Sequence, residues 1–141
     1  MFYQPILLPL LAQVGLTFLV WIYLYVTRLG EINTKKIKVQ KLSTAASSQA
    51  LLTDSAGPSE NFKNLFEMPV LFYAAILLSL VLLVQDRLLV QLAWTFVALR
   101  AFHSLVHCTY NRVMHRFVLY LASSLVLILM WFRLGLYVFT Q

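Results

Sequence analysis

Two short runs concentrate the side chains able to do chemistry in an otherwise apolar sequence. The first is Glu60, Lys63, Asn64 and Glu67; the second is Arg100, His103 and His107, followed by Arg112, His115 and Arg116. Spacings of three and four residues put each run on one helical face. A carboxylate on one helix and a guanidinium on its neighbour can pair with each other or grip a ligand that carries both charges. Two imidazoles at i and i+4 can share hydrogen bonds or ligate a metal. Three readings follow: a polar contact that keeps two helices in register, a ligand cleft, and a metal site with His115 and Glu67 as further ligands. The metal signal is weak, because no Glu-x-x-His motif accompanies the histidines and Cys108 falls on another face. Cys108 has no acidic neighbour and reads as a packing residue; no metal is expected.

The elements that position these residues follow from composition. Apolar residues make up 61% and charged residues 11% of the 141, against about 45–50% and about 25% in soluble domains. Mean hydropathy is +0.80. A small soluble chain buries only about two-thirds of its unfolded surface and could not hide this much hydrocarbon, so lipid is the expected partner. The net charge of +6 sits between apolar runs, without the basic face of a nucleic-acid binder; no nucleic acid is expected. A single cysteine excludes an internal disulfide framework. The N-terminus lacks the basic start of a signal peptide, so its apolar run is expected to remain as an anchor.

A membrane-spanning helix needs about 20 mostly apolar residues. Four stretches meet this, 5–27, 62–84, 88–109 and 116–139, giving an all-α, four-helix membrane domain over 1–141 with a polar loop at 28–61. Helix is required because backbone groups in lipid must be satisfied within the segment. The loop's Ser/Ala-rich part is expected to be flexible. Arg28, Lys35, Lys36, Lys38, Lys41 and Lys63 flank or fill that loop, and Arg112 and Arg116 lie at the third connection; the other side has only Arg87 and Arg133. The positive-inside rule then places the first and third connections in the cytoplasm and both termini outside. At about 1.5 Å per residue, Glu67 lies roughly 8–10 Å inside one span and Arg100 roughly 14 Å inside the next. Similar depth predicts a Glu67–Arg100 ion pair, since neither charge is stable alone in hydrocarbon.

The stretch Asn61-Phe-Lys-Asn-Leu-Phe-Glu67-Met-Pro69-Val-Leu-Phe-Tyr73, taken with Ala98-Leu-Arg100-Ala-Phe-His103-Ser-Leu-Val-His107, resembles the MAPEG family of membrane-associated proteins in eicosanoid and glutathione metabolism. It is most similar to the bacterial branch. The resemblance implies a homotrimer in a bacterial inner membrane, with glutathione as cosubstrate at an intersubunit site toward the cytoplasm. It also implies a lipophilic small molecule as the second substrate. Lys63, Asn64, Glu67, Arg100, His103 and His107 would then bind ligand, with Arg116, or else Arg112, as the catalytic arginine. Two positions depart from the family pattern: His107 stands where the eicosanoid enzymes have Tyr, and Glu60 stands where a glutathione-contacting Arg is usual. The enzyme expected from the resemblance is a glutathione-dependent transferase or peroxidase. The alternative is a non-catalytic structural or binding protein on the same scaffold, which the Glu60 departure favours.

Overall fold

A computed structural model describes residues 5–140; residues 1–4, on which the signal-peptide argument rests, and Gln141 lie outside the described residues. The described chain is helical: α1 (Leu7–Lys35), α2 (Ala45–Leu51), α3 (Ala56–Asn64), α4 (Met68–Val81), α5 (Arg87–Cys108) and α6 (Val113–Phe139), with a 3-10 turn at Val39–Leu42. Four segments are long and apolar enough to cross a bilayer: α1, the α3–α4 pair, α5 and α6. The chain is an integral, multi-pass membrane protein.

The first span runs eight residues beyond its expected end at 27. No proline intervenes, Gly30 is tolerated within the helix, and Glu31 and Lys35 form an i,i+4 ion pair that supports the added turns. Lys36 then ends α1 in the left-handed region at φ 51°. The polar loop is also more ordered than its composition suggests. The Thr44 and Ser47 side chains and amides satisfy one another reciprocally and start α2. Glu31, 5% exposed, accepts from the amides of Asp54 and Ser55 and from the Ser55 hydroxyl. That clamp ties the start of α3 to α1.

The second span departs most from the sequence expectation. It is not one helix over 62–84 but α3 and α4 separated by a break at 65–67. Pro69 is the physical reason. It has no N–H to donate to the Leu65 carbonyl, and its ring would strike that carbonyl in a continuous helix. It sits instead in the first turn of α4, where the missing donor does least harm.

Asp86 accepts from the Leu88 amide and starts α5, and its other oxygen pairs with Arg133 of α6 at 2.6 Å. Partial burial pulls the Asp86 carboxyl up, but Arg133 and the Leu88 amide outweigh it and hold the pKa below its ordinary value. Helices α5 and α6 form the most extensive pair. The apolar core lies in the half of the bundle away from the long loop, where Phe72 of α4 stacks on Phe96 of α5 at 4.6 Å, beside Ile76, Leu127 and Met130. Leu11, Phe18, Leu19, Ile22 and Val26 on α1, and Leu125, Ile128 and Phe132 on α6, remain exposed. Such faces suit lipid tails or neighbouring subunits.

Candidate functional site

The polar cluster lies at the loop end, where α3 breaks and α5 meets the start of α6. Asn61 is fully buried. Its carbonyl accepts from the Ser104 hydroxyl at 3.2 Å, and its amide approaches Cys108 Sγ at 3.4 Å. One side chain thus pins α3 to two successive turns of α5. The two helices also meet at Gly57, where a Cβ would stand 3.0 Å from the His107 carbonyl. Only glycine fits there without displacing backbone.

Arg100 is fully buried. The expected Glu67–Arg100 pair does not form: Arg100 donates from Nη2 to the Asn64 carbonyl at 3.1 Å, and Glu67 is exposed. The helix break explains the difference. Ending α3 at Asn64 frees carbonyls that the next turn would have used, and a cation at a helix C-terminus is also favoured by the helix dipole. Beyond the break the chain carries the Glu67 carboxyl away. Arg100 lies over the Tyr120 ring, with its guanidinium carbon 5.6 Å from the centroid, but Nε and Nη1 have no partner.

The histidines continue this pattern. His103 Nδ1 is 3.1 Å from the Arg116 carbonyl, while its Nε2 is unpartnered. His107, 2% exposed, has neither ring nitrogen bonded, and the two rings lie 5.6 Å apart. Among the described residues, no three His, Cys, Asp or Glu side chains gather as metal ligands. His115 is turned to Tyr110 at 3.0 Å instead.

Helix α6 starts at Val113, three residues before its expected start, so Arg116 lies inside its first turn. Its guanidinium donates to Asn111 Oδ1 at 2.6 Å, and Asn111 is held at φ 49° in the connection. Arg112 is exposed at the helix cap. Geometry thus joins Arg116, not Arg112, to the histidine side of the cluster. Lys63 is not brought there; it lines a separate cavity between α1, α2 and α3. The sequence reading placed Tyr110 or Asn111 on the histidine face, and missed Tyr120 and Asn61 as cluster members. Tyr120 follows Arg116 by one helical turn, and Asn61 precedes Asn64 by three residues, so both spacings carried a signal.

What the cluster offers is two unmet Arg100 donors beside imidazoles of both kinds. His103 donates from Nδ1 to the Arg116 carbonyl and so keeps Nε2 as an acceptor, and a neutral His107 has one donor and one acceptor free. Buried polar groups are almost always hydrogen-bonded, and a buried guanidinium keeps its charge. A partner for Arg100 would bring acceptors, ideally anionic ones, and a partner for the histidines could both donate and accept. A family model described as the MAPEG family matches residues 6–136. No curated protein and no solved structure matches the chain.

Proposed function

Since the chain belongs to the MAPEG family, we propose that it is a glutathione-dependent transferase or peroxidase acting on lipophilic electrophiles. The observation that supports this most is the unmet hydrogen-bonding capacity of Arg100, His103 and His107 in one buried cluster. Glutathione carries two carboxylates, an ammonium and a thiol. A carboxylate would meet the free Arg100 nitrogens, and the exposed Glu67 would take the ammonium. Asn64, whose carbonyl already fixes Arg100, offers its side-chain amide to the peptide.

The chemistry needs one further cation. A free thiol has a pKa of about 8.5 and is mostly protonated at neutral pH, whereas its thiolate is the nucleophile. The Arg116 guanidinium, steadied by Asn111, would stabilise that thiolate, with the proton released to water. Attack on an apolar aryl halide forms the carbon–sulfur bond and expels halide. In reduction of a lipid hydroperoxide the thiolate would take the outer oxygen, breaking the O–O bond and releasing the lipid alcohol. A second glutathione would then displace water from that sulfur to complete the disulfide. The exposed apolar faces support assembly as a homotrimer, with the site at a subunit boundary on the cytoplasmic side and both termini outside.

One observation favours a non-catalytic scaffold. Glu60 replaces the family's basic residue and lines the other cavity. Binding and turnover separate the two readings. Glutathione at tenfold its Kd should stabilise the purified protein by about 1.4 kcal/mol, and Arg100→Met should abolish that gain. Arg116→Gln should keep binding but lower turnover of an aryl halide by about 100-fold. No thermal shift at 10 mM glutathione rejects the enzyme.

A further inference from the structure

A cavity of about 620 Å³, apart from the buried Arg100 cluster, lies between α1, α2 and α3. That volume is in the usual range of ligand pockets. None of Asn64, Glu67, Arg100, His103, His107 or Arg116 lines it. Its wall changes character along α1. Trp21 and Tyr25 pack with their rings tilted and centroids 4.8 Å apart, and Arg28 follows one turn later. Leu52 closes the cavity from the loop side, and α3 supplies Glu60 and Lys63.

The charges there are not spent within the chain. Arg28 donates to the Ser59 hydroxyl at a long 3.4 Å, and its buried Nε has no partner. Neither Arg28 nor Lys63 forms an ion pair among the described residues. Two cations and one carboxylate leave the lining at +1, which matches a monoanion. Aromatic rings one turn below the cations match the border between head groups and hydrocarbon, where Trp and Tyr concentrate. Lys36, Lys38 and Lys41 lie between α1 and α2, a basic cluster that draws anionic lipid toward this end.

We propose that this cavity binds a monoanionic phospholipid. Its phosphodiester is held by Arg28 and Lys63, and its proximal acyl chain runs along Trp21, Leu24 and Phe62. The site is separate from the glutathione cluster and does not depend on it. A soluble phosphate would use the same two cations but leave the aromatic wall empty.

Brominated lipids report on Trp21 directly, read as the difference between the protein and Trp21→Phe in neutral detergent. Brominated phosphatidylglycerol should quench Trp21 saturably, at least fivefold more tightly than brominated phosphatidylcholine. Lys63→Gln should weaken that binding about fivefold, as expected for one cation near a lipid phosphate. Arg28→Gln should weaken it more, and Lys63→Gln decides the matter if Arg28→Gln fails to fold. Lys41→Gln, which removes an equal charge outside the cavity, should weaken it less than about twofold, through the general field alone. Equal quenching by the two lipids, or equal losses in Lys63→Gln and Lys41→Gln, would overturn the assignment. Displacement by millimolar inorganic phosphate would make it a soluble-phosphate site, and displacement by glutathione would merge it with the first cluster; either result overturns the lipid site.

Discussion

Glu31 and Arg100 are both buried charges, yet only one has its hydrogen bonds met. Glu31 uses both oxygens, toward Lys35, the amides of Asp54 and Ser55, and the Ser55 hydroxyl. Arg100 makes one bond, to Asn64, and leaves two nitrogens idle. Desolvating an ion is costly in both places. Around Glu31 the fold recovers that cost by tying a loop to a helix. Around Arg100 it does not, and the capacity is left unmet within the chain. A buried charge with complete partners reads as architecture; one with incomplete partners reads as a site.

The largest effect should come from the completed charge. Glu31→Ala strips an acceptor from the buried amide and hydroxyl of Ser55 and from the partly buried amide of Asp54, and should lower stability by about 3 kcal/mol in detergent melts. A loss below about 1 kcal/mol would erase the contrast from the Glu31 side. Arg100→Met is the sharper test. With no acidic partner lost, thermal stability should hold or rise by up to about 1 kcal/mol, because an under-bonded buried charge has gone. A fall of several kcal/mol would show that Arg100 finds a full set of partners in the assembled protein.

Two smaller effects bracket these. The Asp86 carboxyl titrates below its ordinary value when folded, so its contribution is present above about pH 4 and lost as pH falls through the lowered pKa. Arg133 is 47% exposed at its side chain, which limits the pair to about 1 kcal/mol. Arg133→Met should flatten that acid limb by removing up to about 1 kcal/mol at neutral pH, while leaving stability in strong acid nearly unchanged. Glu67→Gln should be the mildest, within about 0.5 kcal/mol, since Glu67 is exposed and unpaired with Arg100. A large loss there would restore the ion pair expected from depth alone.

The four spans were legible because hydrocarbon-length apolar runs leave few alternatives. The family was legible from two local motifs, Asn61 to Tyr73 and Ala98 to His107. What the sequence reading misjudged was the route of the backbone between charges. It measured the depth of Glu67 along a continuous helix, although Pro69 already implied that the Leu65 carbonyl would be left free. The loop was misread for a related reason. Its Ser and Ala content suggested flexibility, but its order comes from Glu31, twenty-four residues away from the hydroxyl it binds. Such long-range capping leaves no periodic trace.

The break at 65–67 also has a consequence for where the site sits in the bilayer. At about 1.5 Å per residue, the fourteen residues of α4 reach about 21 Å, short of a hydrocarbon layer about 30 Å thick. Helices α5 and α6, at twenty-two and twenty-seven residues, are long enough on the same rise. The span is completed only by α3 across the break, 26 residues in all, so Asn64 and Glu67 fall below the level of the head groups. The joint that holds Arg100 then lies where no bulk water can satisfy the backbone groups that the break sets free, and they must be met by protein.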